Sequence, residues 1–189
     1  MRQLRKYLDK MGSVSDADWE FFISKLQQRS FPKKAHIINR GEVENHVSFI
    51  EKGIVRLYIP NENKDKEITF GFSFENEFIS AYDSFLSRQP SKFSLQTLLP
   101  TKMWSINYEE LQHVYKRTKI GNAIGRYYAE RLFMIKSERE QALLLLSAEQ
   151  RYRNLFLQRP NLFKEIPLKF LASYIGVTPQ ALSRIRKRI

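Results

Sequence analysis

Residues 167–187 read Pro167-Leu-Lys-Phe-Leu-Ala-Ser-Tyr-Ile-Gly-Val-Thr-Pro-Gln-Ala-Leu-Ser-Arg-Ile-Arg-Lys187. Leu168, Leu171, Ala172 and Ile175 recur at helical spacing and give a first helix one apolar face. Gly176 follows at the point where a left-handed backbone would end that helix. Thr178 then suits the cap of a second helix. Pro179 suits its first turn, where a missing N–H costs nothing. Val177, Leu182 and Ile185 supply the inner face of the second helix, and the small Ala172 lets the two helices approach closely. The outer face holds Gln180, Ser183, Arg184 and Lys187, with Arg188 next in the chain. Positions 180, 184 and 187 lie at i, i+4 and i+7, so they project together. Gln pairs with adenine in two-pronged fashion and Arg with guanine, while Thr178 and the first-turn N–H groups suit a phosphate. An ordinary helical hairpin shares this outline. Cap, glycine turn, inner triad and basic outer face together favour recognition of double-stranded DNA.

The charge supports that reading. The 189 residues hold 32 Lys+Arg against 20 Asp+Glu, a formal net charge of +12. Residues 1–125 carry 19 basic and 15 acidic side chains, and residues 126–189 carry 13 and 5. The excess therefore lies beside the helical pair, where each Lys or Arg that neutralises a phosphate would release a counterion. A solubilising tail would show the same composition.

Upstream, the chain changes character twice. Ser15 caps a helix with Asp16 and Asp18 in its first turn, and Trp19, Phe22, Ile23 and Leu26 form a stripe that predicts a helix to about Arg29. From Ser30 to about Met103, short runs rich in β-branched and aromatic residues alternate with turn signals at Gly41, Gly53 and residues 61–66. Such spacing predicts an antiparallel sandwich or barrel. Beyond Tyr108 the period is helical: a short helix over 108–118, then a longer one over 119–146 with Ile120, Ile124, Tyr128, Leu132 and Ile135 in one stripe. That stripe fits packing on its own domain or a seam between two copies. Gly121 and Gly125 allow a close crossing, and Ser147–Gln150 reads as the capping box of a fresh helix ending near Pro160.

Several function classes fall away. There is no cysteine, which excludes disulfides, thiolate metal sites and a Cys nucleophile. His36, His46 and His113 are scattered, so no metal and no cofactor is expected, and no phosphate-binding glycine loop occurs. Asp16/Asp18 and Glu75/Glu77 read as a helix start and a solvated turn, so an enzyme is not expected. The longest apolar runs, 132–135 and 142–146, are far short of a bilayer span, and the basic start lacks an apolar core. A cytoplasmic protein without membrane contact is expected.

The whole pattern resembles the Crp/Fnr superfamily of bacterial transcription regulators. Ile37-Ile-Asn-Arg-Gly41-Glu42, then Phe49-Ile-Glu-Lys-Gly53-Ile-Val55-Arg56, is similar to the family's I-x-x-x-G-E followed by F/Y-I-x-x-G-x-V. The resemblance implies an α+β chain: an N-terminal antiparallel β-roll (a cyclic-nucleotide-binding-like jelly roll) over 1–118, a long dimerisation helix over 119–146, and a helix-turn-helix over 147–189. It also implies a homodimer seamed by Ile124, Tyr128, Leu132 and Ile135. The DNA-binding residues it implies are Thr178, Gln180, Ser183, Arg184, Lys187 and Arg188, with RNA polymerase as a further partner.

Two departures matter. Nucleotide-binding relatives place Gly-Glu after an aromatic-Ile pair and an Arg ten residues beyond the Glu. Here Phe78-Ile79 is followed by Ser80 and Ala81, and Ser91 stands at the Arg position. Ser80, Ala81, Ser91 and Lys92 thus form a degenerate effector pocket, and nearby Lys92 and Arg88 are poor substitutes for a bidentate fork. An effector other than cyclic AMP, of unknown identity, is expected. The chain also stops at Ile189, so a helix-turn-helix lacking a full wing is expected. The competing reading is a ligand-binding or protein-interaction module whose helical tail does not bind DNA.

Overall fold

The computed structural model describes residues 1–9, 12–63, 66–159 and 162–188. Helices α1 (Arg2–Leu8) and α2 (Asp16–Ser24) precede eight strands: β1 (Gln27–Phe31), β2 (His36–Ile38), β3 (His46–Lys52), β4 (Val55–Ile59), β5 (Ile68–Ser73), β6 (Phe78–Ile79), β7 (Ser94–Thr97) and β8 (Thr101–Asn107). Helix α3 (Tyr82–Ser87) falls between β6 and β7. The remaining helices are α4 (Tyr108–Arg117), α5 (Gly121–Leu145), α6 (Ala148–Gln158), α7 (Leu162–Glu165), α8 (Leu168–Ile175) and α9 (Pro179–Arg188). Among the described residues no helix is long and apolar enough to cross a membrane.

The strands form two four-stranded sheets, ordered β1-β8-β3-β6 and β2-β7-β4-β5. The antiparallel sandwich or barrel expected from the spacing is present, as the β-roll that the resemblance implies. Side chains alternate across each strand, so the first sheet has two apolar faces. Ile50 and Met103 pair in register and face inward with Ile38, Val55, Ile79 and Leu95. Val47, Phe49 and Ile106 face the other way, onto Leu4, Leu8, Phe22, Leu111 and Val114 of the helices. Gly53 turns β3 into β4 at φ +121°, and a Cβ there would lie 2.4 Å from the Thr101 hydroxyl. Only glycine fits.

Two sequence expectations are corrected. Ser15 does cap α2, accepting from the Asp18 N–H at 3.1 Å, but the helix stops at Ser24 rather than near Arg29. The apolar stripe ends at Leu26. The following Gln-Gln-Arg-Ser-Phe pairs instead with β8, from Gln27↔Ser105 to Phe31↔Thr101, which satisfies its backbone in a ladder. Helix α1 was not anticipated. Its seven residues offer Leu4 and Leu8, both fully buried, as a one-turn apolar pair, with the Tyr7 ring beside them.

The chain divides into two compact units, Met1–Leu57 with Phe72–Arg131, and Tyr58–Gly71 with Leu132–Ile189. The long helix runs 121–145 and passes from one unit to the other. In the first unit its opening turns cross α4 closely, because a Cβ on Gly121 would sit 2.6 Å from the Val114 carbonyl oxygen. Gly121→Ala should therefore destabilise the protein by about 1–3 kcal/mol through overpacking, despite alanine's better helix propensity. A lowered urea midpoint at unchanged slope is the expected result. An unchanged or raised midpoint would show that the crossing is loose.

Candidate DNA interface and sensor cassette

Within the second unit, α8, a three-residue turn and α9 take the geometry read from residues 167–187. Gly176 adopts the left-handed conformation at φ 85°, and the N–H of Val177 returns to the Ala172 carbonyl at 3.0 Å. Thr178 Oγ1 accepts from the Ala181 N–H at 3.2 Å, and Pro179 opens α9. Leu171, Ala172, Ile175, Leu182 and Ile185 are buried, while Val177 is half-buried. Thr178, Gln180, Arg184, Lys187 and Arg188 are exposed and Ser183 is half-buried. The outer face is thus polar, basic and open to solvent.

Three positioning contacts escaped the sequence reading. Arg151 of α6 donates through Nε to the Ile175 carbonyl at 2.8 Å and through Nη1 to the Leu146 carbonyl. Arg139 of α5 donates to the Tyr174 carbonyl at 2.9 Å, with its guanidinium carbon 4.0 Å from the centre of the Tyr174 ring. Ser173 accepts from the Thr69 N–H at 2.9 Å and donates to the Glu67 carbonyl at 3.1 Å, joining α8 to the edge strand β5. No local signal marks these residues, since their partners are backbone carbonyls and N–H groups, all but the Leu146 carbonyl remote in sequence. Helix α6 starts on the capping box expected at Ser147–Gln150. Its expected end at Pro160 lies outside the described residues, although the helix itself closes at Gln158.

The four residues expected along the dimer seam separate. Ile124 is buried in the first unit, and the ring of Tyr128 meets Tyr82 at 4.9 Å and Phe78 at 5.8 Å. Leu132 is half-buried and Ile135 is 50% exposed. The most exposed apolar groups on α5 are others: Phe133 at 70%, Met134 at 55%, and Leu144 and Leu145 at 77%. These four fall within roughly a third of the helix circumference, away from Arg139.

The cassette segment belongs to the first unit. Ser80, Ala81 and Ser91 are buried and Lys92 is exposed. Ser80 Oγ donates to the His46 carbonyl at 2.9 Å, and Ser91 Oγ to the Phe93 carbonyl at 2.8 Å. Arg88 spends its guanidinium on the carbonyls of Glu44 (2.8 Å) and Phe85 (3.2 Å) and on Asn45 Oδ1 (2.8 Å), lying 4.4 Å over the Tyr108 ring. Phe78 and Tyr82 line a small apolar cavity with Tyr115 and Tyr128. Sequence reasoning passed over Glu44, which is buried. Its carboxylate accepts from the His46 N–H at 2.9 Å and the Ala81 N–H at 3.4 Å. Burial raises its pKa, opposed by those N–H groups and by Arg29. Burial, aided by Arg29, lowers the His46 ring to about 4. Among the described residues no cluster could hold a metal ion.

Residues 28–118 match the cyclic nucleotide-binding domain family. The chain is similar to the CRP-like protein Clp of Xanthomonas oryzae pv. oryzae, at 24% identity over 119 residues, covering 60% of this chain and 51% of the relative. It thus spans about half the length of the curated relatives it matches. Among solved structures it is similar to the c-di-GMP responsive global regulator CLP of Xanthomonas campestris, with TM-score 0.69, 20% identity, and coverage of 92% of this chain and 91% of that one. FixK2 from Bradyrhizobium japonicum gives TM-score 0.70 at 13% identity, covering 86% and 83%. At these identities the structural likeness speaks for the fold.

The His46 shift carries a sign. The folded ring titrates near 4 against 6.5 unperturbed, so only the unfolded state takes up the proton between those values. Stability from neutral His46 is complete above pH 6.5 and is lost as pH falls toward 4. The raised pKa of Glu44 works in the opposite sense, so a comparison of variants isolates the histidine. The stability of the parent relative to His46→Gln should fall by about 1–2 kcal/mol across that window, discounted for the ring's half exposure. A pH-independent difference in urea unfolding would contradict the assignment.

Proposed function

We propose that the chain, whose residues 28–118 match the cyclic nucleotide-binding domain family, is a homodimeric, sequence-specific DNA-binding transcription regulator of the Crp/Fnr superfamily. Its effector is not cyclic AMP. Residues 1–118 serve as sensor, 119–146 as dimerisation helix and 147–189 as DNA reader, acting in the cytoplasm with RNA polymerase as the further partner. The protein works by binding rather than by catalysis. The observation that carries this reading is α9, whose inner residues Leu182 and Ile185 are buried while Gln180, Arg184, Lys187 and Arg188 stand together in solvent. A helix held by one face with a basic opposite face suits the major groove.

Dimerisation follows from the same requirement. One such pair of helices buries little surface, so tight specific binding needs two copies on half-sites about 34 Å apart. The exposed Phe133, Met134, Leu144 and Leu145, with Ile135, supply apolar area for a second copy to cover. Ile124 and Tyr128 are already covered within the chain.

The degenerate cassette supports an effector other than cyclic AMP. A cyclic phosphate buried in the roll requires a cation and free donors. Ala81 and Ser91 bring no charge, Arg88 is engaged by three acceptors, and Lys92 points to solvent exposure rather than burial. The c-di-GMP responsiveness of the Xanthomonas CLP protein makes cyclic dinucleotides the first candidates to titrate against this chain, beside cyclic AMP.

Arg184→Ala should weaken specific binding by roughly 1–3 kcal/mol and relax preference at one base pair. Lys187→Ala should weaken all duplexes more evenly. Gel-shift titration against the preferred and scrambled duplexes reads both, and parent-like binding by both variants would overturn the outer-face assignment. Leu144→Glu should give monomers by sedimentation and lose specific binding in the same step. A parent that sediments as a monomer yet binds tightly would contradict the dimer.

A further inference from the structure

The turn over residues 41–46 is tied along its length to residues 80–91. The Gly41 N–H donates to the Ser91 carbonyl and the Ser91 N–H to the Glu42 carbonyl, both at 2.8 Å. The Glu44 N–H donates to Ser84 Oγ at 3.0 Å, and that hydroxyl donates onward to the Gln89 carbonyl. Arg88 and Ser80 close the seam through the carbonyls of Glu44 and His46. At its centre Glu44 is only 4% exposed.

A carboxylate survives burial only where donors and a cation compensate it. Here the donors are the backbone N–H groups of His46 and Ala81, and the cation is Arg29 on β1. Arg29 Nη1 is itself buried without a hydrogen-bond partner, so its charge is not spent on another acceptor through that nitrogen. Ala81 completes the arrangement. It is fully buried, donates its N–H to Glu44, and brings no carboxylate of its own where nucleotide-binding relatives carry a Glu.

We propose that Glu44 is a resident anion for the cassette: its carboxylate takes up the donors that a ligand anion would need and holds residues 80–91 in one conformation without an effector. The inference rests on reading this segment as a degenerate effector cassette and is independent of DNA binding. Three consequences follow from the geometry. The sensor unit is closed in its resting state. Cyclic phosphates find no free donor at Ala81 or Arg88. Removing the Glu44 side chain opens a hole shaped for a small carboxylate.

Hydrogen exchange over residues 78–93 of the whole protein, read by mass spectrometry, tests this without DNA. In the parent, protection should be unchanged by cyclic AMP and by replacing chloride with formate at constant ionic strength. In Glu44→Ala, the segment should lose protection by roughly tenfold or more, and formate should restore it while chloride does not. Glu44→Gln keeps the shape and one acceptor, so it should lie between the two and ignore formate. If Glu44→Ala does not fold in chloride, recovery of folding in formate becomes the readout. Full protection in Glu44→Ala would overturn the proposal. So would a loss, or a failure to fold, that formate does not reverse, a formate response in Glu44→Gln, or cyclic AMP raising protection in the parent. A chain that failed to bind DNA would leave all these outcomes unchanged.

Discussion

A helix that stops at a three-residue turn leaves its last carbonyls without helical partners. At the end of α8 two arginines from other helices take them, Arg151 on Ile175 and Arg139 on Tyr174. Charge-assisted bonds of this kind contribute roughly 1.5–3 kcal/mol, discounted where solvent reaches them, against under about 1 kcal/mol for exposed pairs such as Arg126–Glu130. They do more than stabilise. Because α9 follows after only three residues, fixing the end of α8 fixes where α9 begins, and with it the direction of Gln180, Arg184 and Lys187. The basic face of α9 inherits its orientation from α5 and α6 through these two guanidinium groups. Ser173 adds a third tether, to the backbone edge of β5.

The first unit shows the complementary economy of charge. Here Arg88 is engaged by the 44–45 turn and the Ala81 N–H by the Glu44 carboxylate. The half-buried aromatic groups behind them, Phe78, Tyr82 and Tyr128, pack edge to face and join the cassette side of the sheet to the opening turns of α5. Edge-to-face contacts have a preferred geometry, so this junction transmits a defined packing rather than a loose apolar contact.

How much of this was legible follows from the range of each signal. The helix-turn-helix was readable because its cap, glycine turn and inner triad all lie within residues 167–187. The β-roll was readable because strands alternate with a period of two between clear turns. Helix α2 was overextended and β1 missed because the decisive partner of Gln27–Phe31 is β8, some seventy residues away. On α5 a single stripe from Ile120 to Ile135 looked like a seam. Its first half is consumed by the chain's own core, Ile135 at its end stays exposed, and the most exposed apolar groups lie elsewhere on the helix, a choice that periodicity alone does not make. Glu44 was invisible because an acid in a polar turn reads as solvated until tertiary structure buries it. Arg139, Arg151 and Ser173 were invisible for the same reason, since backbone carbonyls leave no trace in side-chain pattern.

The central claim is that α9 reads duplex DNA as one half of a two-fold pair. Selection of bound duplexes from a random-sequence pool, followed by titration of the winner at several salt concentrations, measures it directly. The account predicts a palindromic consensus with half-sites one helical turn apart, and an affinity that falls with salt at a log–log slope of about −0.9 per phosphate contacted. A pool that shows no enrichment over random sequence, or binding that is indifferent to salt, would contradict it.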